Sequence, residues 1–334
     1  MKRSKIILPI LAATGILGIA SQSVLGQTTI FSDTFGNGST VQTAPSVPTA
    51  NSTTYEWFQQ GGTPATPTIA SGDLHLVGRT TSSSISEAQA LFTASPVTLQ
   101  NVGDSLTLNI TFVNTQTIMP AAYPSTLNVG LFNSHGSAPV TGVRLDASGS
   151  GTGGAVGWTG YLGRISGSNN VNSSIITRPA QGAGITNPNQ SQDVLFNGAS
   201  GSSTFNNPTG TLVANSGGTF TAGLTTGNTY TLSYSITLSA AGTVTINNNL
   251  YNGGAVDPLN LIFSQTGSTS SSIETTYDAF GFGWRYNSVT GSSIADVSSI
   301  TVLDNIAVIP EPSVFALGGL GALALSRHLR RRRA

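Results

Sequence analysis

The sequence predicts an all-β fold, an antiparallel β-sandwich, on three observations. Several short segments alternate apolar and polar residues with period two. No window of a dozen residues carries an apolar period of 3.6. Glycine is abundant, at 40 of 334 residues, and charge is sparse, with 13 basic and 13 acidic side chains in all. Short strands joined by Gly- and Asn-rich turns produce this composition.

The elements follow in chain order. Lys2, Arg3 and Lys5 precede an apolar stretch from Ile6 to Ala20 and a polar exit. This is the layout of a secretory signal peptide over residues 1–26, with a small residue at Gly26 suited to cleavage before Gln27 and a second option after Ala20. An uncleaved anchor is the alternative, which Pro9, Gly15 and Gly18 disfavour in a helix. Residues 29–35 (TIFSDTF) open the body as a strand, and 105–113 alternate with Leu106, Leu108, Ile110 and Phe112 on one face. Leu127, Val129 and Leu131 mark another strand. Residues 230–238 alternate likewise and pass through Ser239-Ala240-Ala241-Gly242 into 243–246, a hairpin. Phe280, Phe282 and Trp284 alternate with Gly281, Gly283 and Arg285, which makes Trp284 a core residue and leaves Arg285 on the solvent side. Residues 300–308 close the body, and the first and last strands are expected to lie together. One apolar and one Thr/Ser/Asn face is the pattern of antiparallel sheets packed on a core.

Two stretches, 147–192 and 200–218, are filled with Gly, Ser, Asn, Pro and Gln and are expected as long loops of the same body, 27–309, or an elaboration between its strands, with disorder as the competing reading. No repeat of 20–30 residues supports a β-helix or solenoid, the competing architecture.

Charge is distributed unevenly. Residues 1–26 carry +3 and 310–334 carry +4, whereas 27–309 hold five arginines against twelve acids, −7. A mildly acidic body without a basic patch argues against nucleic acid as a partner. With no cysteine there is no disulfide framework, thiol nucleophile or thiolate metal site.

Little in the body points to catalysis, and no catalytic residue is assigned. The body's histidines are His75 and His135, without a His-Glu-x-x-His box. Asp73 and His75 share a strand face and read as a surface pair, because no Gly-x-Ser-x-Gly elbow accompanies them. A glycosidase needs two carboxylates across the scissile bond, and the acids here are scattered singly. No cofactor is expected. Calcium is the ion an oxygen-rich exterior site would take. Asp33 and Asp304, on the adjoining edge strands, are its candidate ligands, beside the plainer reading of an edge-strand hydrogen bond. Sugar binding would use exposed aromatic faces, for which Trp158 and Tyr161 in the Gly-rich stretch and Tyr55 and Trp57 near the N-terminal edge are candidates. A buried aromatic plug is the alternative for Trp158.

The C-terminus reads Pro310-Glu311-Pro312, an apolar run from Val314 to Leu325, and a basic end containing Arg327, Arg330, Arg331, Arg332 and Arg333. Twelve helical residues span roughly 18 Å, short of the ~30 Å hydrocarbon core, so a permanent anchor would be marginal. The arginines would stay cytoplasmic. In this order, over residues 310–334, these parts resemble the PEP-CTERM sorting signal of Gram-negative bacteria. The resemblance implies an exosortase-type membrane enzyme and signal peptidase as partners, export across the inner membrane, a transient C-terminal anchor, and delivery to the cell surface or exterior. A simple tail anchor is the plainer alternative.

The strand pattern of the body, with its two edge strands, resembles the concanavalin A-like jelly-roll sandwich, including laminin-G-like modules. The expectation is thus a signal helix, a β-sandwich and a short apolar C-terminal helix. The expected function is that of a non-enzymatic structural or polysaccharide-binding surface protein. A secreted glycan-active hydrolase and a self-associating adhesin are the alternatives, the last because few edge lysines would oppose edge pairing.

Overall fold

The computed structural model describes residues 27–36, 40–41, 54–60, 67–77, 84–116, 125–136, 157–167, 172–179, 195, 212–215, 220, 222–286 and 293–306. The predicted signal peptide, apart from its cleavage point at Gln27, and the sorting signal at 310–334 lie outside these residues.

Strands are numbered in chain order. The N-terminal third holds β1 (Thr28–Asp33), β2 (Thr40–Val41), β3 (Thr54–Gln60), β4 (Thr68–Ala70), β5 (Asp73–Val77) and β6 (Ser84–Leu91). Next come β7 (Val97–Thr98), β8 (Ser105–Asn114), β9 (Thr126–Asn133), β10 (Thr159–Ser166), β11 (Ser174–Arg178) and β12 (Leu212–Asn215). The C-terminal third holds β13 (Thr229–Ala240), β14 (Thr243–Asn252), β15 (Leu261–Thr269), β16 (Thr276–Tyr277), β17 (Ala279–Tyr286) and β18 (Ser293–Asn305).

They form two large sheets. The first runs β15-β14-β13-β8-β18-β5-β4, with β1 also on β18. The second runs β12-β11-β10-β9-β17-β6-β3-β2. Pairing is antiparallel except between β2 and β3, which are parallel. Strands β7 and β16 form a small separate ladder. The predicted all-β sandwich is the fold observed.

The first sheet follows its sequence pattern closely. Along β8, Leu106, Leu108, Ile110 and Phe112 are buried while the residues between them are half-buried. The hairpin β13–β14 turns at Ala241-Gly242, where Gly242 has φ +70°, a conformation that suits glycine. The first and last strands pair: Thr28 faces Asp304 and Asp33 faces Ile300. Strand β18 begins earlier than its alternation indicates. Register shifts at 293–295 and 297–299 change which parity faces inward, so the buried set Ile294, Ala295, Val297, Ile300 and Val302 does not read as one period.

The core lies between the sheets. Phe112 of the first sheet meets Trp284 of the second edge-on at 5.2 Å, and Phe31 meets Phe280 at 5.7 Å. Trp284 is fully buried, as expected.

The second sheet corrects two expectations. The stretches 147–192 and 200–218 are not wholly loop: they contribute β10, β11 and β12. Their alternation is hidden because almost every residue of β10 and β11 is buried, on both faces, and Gly160 and Gly163 interrupt each face of β10. Arg285 is not solvated but 2% exposed, on the face turned away from the core. Arg164 and Arg178 share that face, since Arg164 pairs with Asn128, Asn128 with Gly283, and Arg178 with Gly160 opposite Phe132. Burial, and then the charge of Arg285, lower the Arg164 pKa to about 10. Leu195, also fully buried, accepts the Asn128 amide hydrogen bond at 2.9 Å.

His75 takes a partner other than Asp73. Its Nδ1 lies 2.7 Å from Asp296 Oδ1 across the β5–β18 ladder, and its Nε2 lies 3.1 Å from the Ala70 carbonyl oxygen. Burial lowers its pKa, but the hydrogen bond and charge of Asp296, the Ala70 carbonyl and the charge of Asp73 outweigh this, and the net shift is upward.

Candidate functional site

The second sheet ends in a cleft of about 420 Å³ lined by His135, Thr159, Gly160, Thr177, Arg178, Pro179, Ser272, Ile273 and Glu274. Four chain segments build it. The turn after β9 supplies His135, the start of β10 supplies Thr159, the end of β11 supplies Arg178, and the connection from β15 to β16 supplies Glu274.

The polar centre is Glu274, whose side chain is 17% exposed. Its Oε1 accepts hydrogen bonds from the backbone N–H groups of Thr275 at 3.1 Å and Thr276 at 3.0 Å. Its Oε2 accepts the Thr159 hydroxyl at 2.5 Å. The backbone of Glu274 is fixed in turn: its N–H donates to the Tyr161 hydroxyl at 2.9 Å, and its carbonyl accepts the Tyr277 hydroxyl at 2.6 Å. Hydrogen bonds to an ionised carboxylate are the stronger kind, so the acid is held in one orientation.

His135 completes the group. Its Nε2 lies 2.8 Å from Thr159 Oγ1 and 4.0 Å from Glu274 Oε2, with the side chain 49% exposed. The turn carrying it is anchored below, where Ser134 donates both its N–H (2.7 Å) and its hydroxyl (2.6 Å) to Asp278. Burial raises the Asp278 pKa, partly offset by these bonds and by His135. His135 has φ +51° and Ser272, on the opposite rim, has φ +48°. Non-glycine residues in this region are uncommon, and such strain gathers where structure holds side chains for a purpose. Arg178 closes one wall and donates to the carbonyl oxygen of Trp158.

The predicted sugar platforms fare differently. Trp158 and Tyr161 are both fully buried, which corrects the expectation of an exposed aromatic face. The Trp158 ring packs 6.0 Å from Phe132. Tyr161 sits beneath the cleft as support for Glu274, and burial, the larger effect, pushes its pKa up to about 12 against the Glu274 hydrogen bond. Tyr55 and Trp57 lie on β3, but their side chains lie outside what the structure describes.

Asp33 and Asp304 do not come together. Their register partners are Ile300 and Thr28, so they stand four positions apart along β18, about 13 Å at the rise of a strand. Asp33 instead accepts the Phe35 N–H at 2.7 Å, the edge-strand hydrogen bond considered as the alternative. Among the described residues no three His, Asp or Glu side chains gather to hold a metal ion.

His135, Thr159 and Glu274 were missed as a group because they lie 24 and 115 residues apart, with no local motif joining them. The one sequence hint is the hydroxyl-rich flank Ser270-Ser271-Ser272-Ile273-Glu274-Thr275-Thr276.

No protein-family model matches the chain, and no curated protein matches it. Among solved structures it is similar to the carbohydrate recognition domain of Emp47p, at 10% identity and TM-score 0.40, covering 84% of this chain and 97% of that one. It is similar to the CBM2 module of the evolved Dit of Lactobacillus casei BL23 phage J-1, at 10% identity and TM-score 0.40, covering 84% and 98%. It is also similar to arcelin-5, a lectin-like defense protein from Phaseolus vulgaris, at 12% identity and TM-score 0.37, covering 75% and 92%.

Proposed function

We propose that the chain is an exported surface protein whose β-sandwich binds polysaccharide without enzymatic turnover of the glycan chain, through the cleft at Glu274. The carrying observation is the cleft's chemistry. One carboxylate, an imidazole and the hydroxyls of Thr159, Thr177 and Ser272 line a concave wall fixed by hydrogen bonds. Sugar hydroxyls both donate and accept, and a preorganised set of this kind recognises them at low ordering cost. The cleft contributes a single carboxylate, whereas glycosidic cleavage uses a pair. Export rests on the signal layout of 1–26. Delivery to the surface through an exosortase rests on Pro310-Glu311-Pro312, the apolar run and the terminal arginines.

The test is electrophoresis of the full chain through gels containing different polysaccharides, with and without calcium. At least one polymer is expected to retard it. Glu274→Gln removes the charge-assisted acceptor, a loss of about 1.5–3 kcal/mol, and is expected to weaken retention about tenfold or more. A chain that no polymer slows, or a variant retained as well as the parent, overturns the cleft as the binding site.

A second reading, self-association, has its own observation. Strand β15 is an edge of the first sheet, residues 258–273 carry no charge, and Leu259 beside it is 93% exposed. Sedimentation that shifts with concentration, and ceases to in Leu259→Asp, would establish it.

A further inference from the structure

We propose that Thr159 is an acyl acceptor, and that the cleft transfers acyl groups from O-acylated sugar hydroxyls to water. The sugar part of that substrate rests on the polysaccharide reading above, but the acyl chemistry stands on its own geometry.

A nucleophilic hydroxyl needs a base within hydrogen-bond reach and a third group that steadies the charge formed. Thr159 Oγ1 has His135 Nε2 at 2.8 Å and Glu274 Oε2 at 2.5 Å. Thr159 thus lies between an imidazole and a carboxylate at an open cleft. A threonine serving only as a strand residue needs neither partner. His135, on the turn that Asp278 anchors, holds its Nε2 2.8 Å from the hydroxyl while its ring stays half-exposed.

The step balances without a further reagent. Thr159 Oγ adds to the carbonyl carbon of the ester, and its proton passes to Glu274 Oε2, which already accepts it. His135 donates its Nε2–H to Thr159 Oγ1 and so holds the hydroxyl against the carboxylate. The tetrahedral adduct then breaks its bond to the sugar oxygen, which leaves as a hydroxyl with the proton from Glu274. Water attacks the acyl-threonine with the same proton route, releasing the carboxylic acid and restoring Thr159. Arg178, on the wall of the cleft, brings positive charge toward the oxyanion. Threonine is bulkier than serine at the attacking carbon, so turnover is slow and the acyl-enzyme is long-lived enough to detect.

The experiment incubates the full chain with p-nitrophenyl acetate and follows nitrophenolate release, intact mass and the modified peptide. The expected result is one acetyl group on Thr159. It is lost in the isosteric Thr159→Val and retained in Thr159→Ser, which also shows that the site still folds. In Glu274→Gln, which removes the base, the release is expected to slow on the order of a hundredfold. An acetyl group that never maps to Thr159, or release unchanged in Thr159→Val, overturns the proposal. Gel retardation is measured on the same samples. Retardation without acylation overturns the acyl acceptor and keeps the binding reading. Acylation without retardation by any polymer supports the acyl acceptor and overturns the sugar part of its substrate.

Discussion

Strands β8 and β10 occupy equivalent inner places in the two sheets, yet only one could be read from its residues. In β8 each inward apolar side chain is followed by a half-buried polar one. In β10 seven of eight residues are buried, and Gly160 and Gly163 stand where alternation would place side chains. The glycines are dictated by neighbours: a Cβ on Gly163 would lie 2.6 Å from Asn248 Nδ2 and 3.0 Å from Tyr234. Period two reports one unbroken apolar face. It survives in β9 and β17, which are buried on both sides, and is lost in β10, where a glycine interrupts each face.

The strongest way to break this comparison is at the contact between the sheets. Trp284→Ala removes the ring that meets Phe112 and Phe282, and should cost about 3–5 kcal/mol in denaturant unfolding. A loss below about 1 kcal/mol would mean that the two sheets do not share one core.

A smaller effect separates the strands themselves. Gly163→Ala on β10 should destabilise by about 1–3 kcal/mol through overpacking against Asn248. Thr107→Ala, at a half-buried outward position of β8, should stay within about 0.5 kcal/mol. Equal losses at the two positions would show that β10 has room the structure does not give it.

The smallest effect is on pH. His75 has a folded pKa above its ordinary 6.5, so the folded state binds this proton more tightly than the unfolded chain. Its contribution is complete below about pH 6.5 and is lost as pH rises through the folded value. Denaturation midpoints should therefore fall as pH rises above that point, and the fall should flatten in His75→Gln. A slope that survives the substitution would assign the effect elsewhere.

The same contrast explains what could be read in advance. Strands β8, β13, β14, β9 and β17 showed in the sequence because each carries an uninterrupted alternating apolar face, and the pairing of β1 with β18 followed from their places at the ends of the body. Strands β10 to β12 did not show, since Gly, Ser and Asn there serve close packing rather than turns. The cleft was less readable still. Glu274, Thr159 and His135 acquire meaning only when a turn, a strand start and a connection meet, and Trp158, the residue that stood out, packs against Phe132.

One feature of the topology bears on how the molecule comes into being. Strand β18 is the last of the body, and it borders β8 on one side and both β5 and β1 on the other. A nascent chain therefore lacks the middle of its first sheet until residue 305 has been made. Strands β1, β5 and β8 wait for a partner made after every other strand of the body, with the slow closure that distant pairings impose. A first sheet that cannot close before β18 stays open for as long as the strands ahead of it are being made.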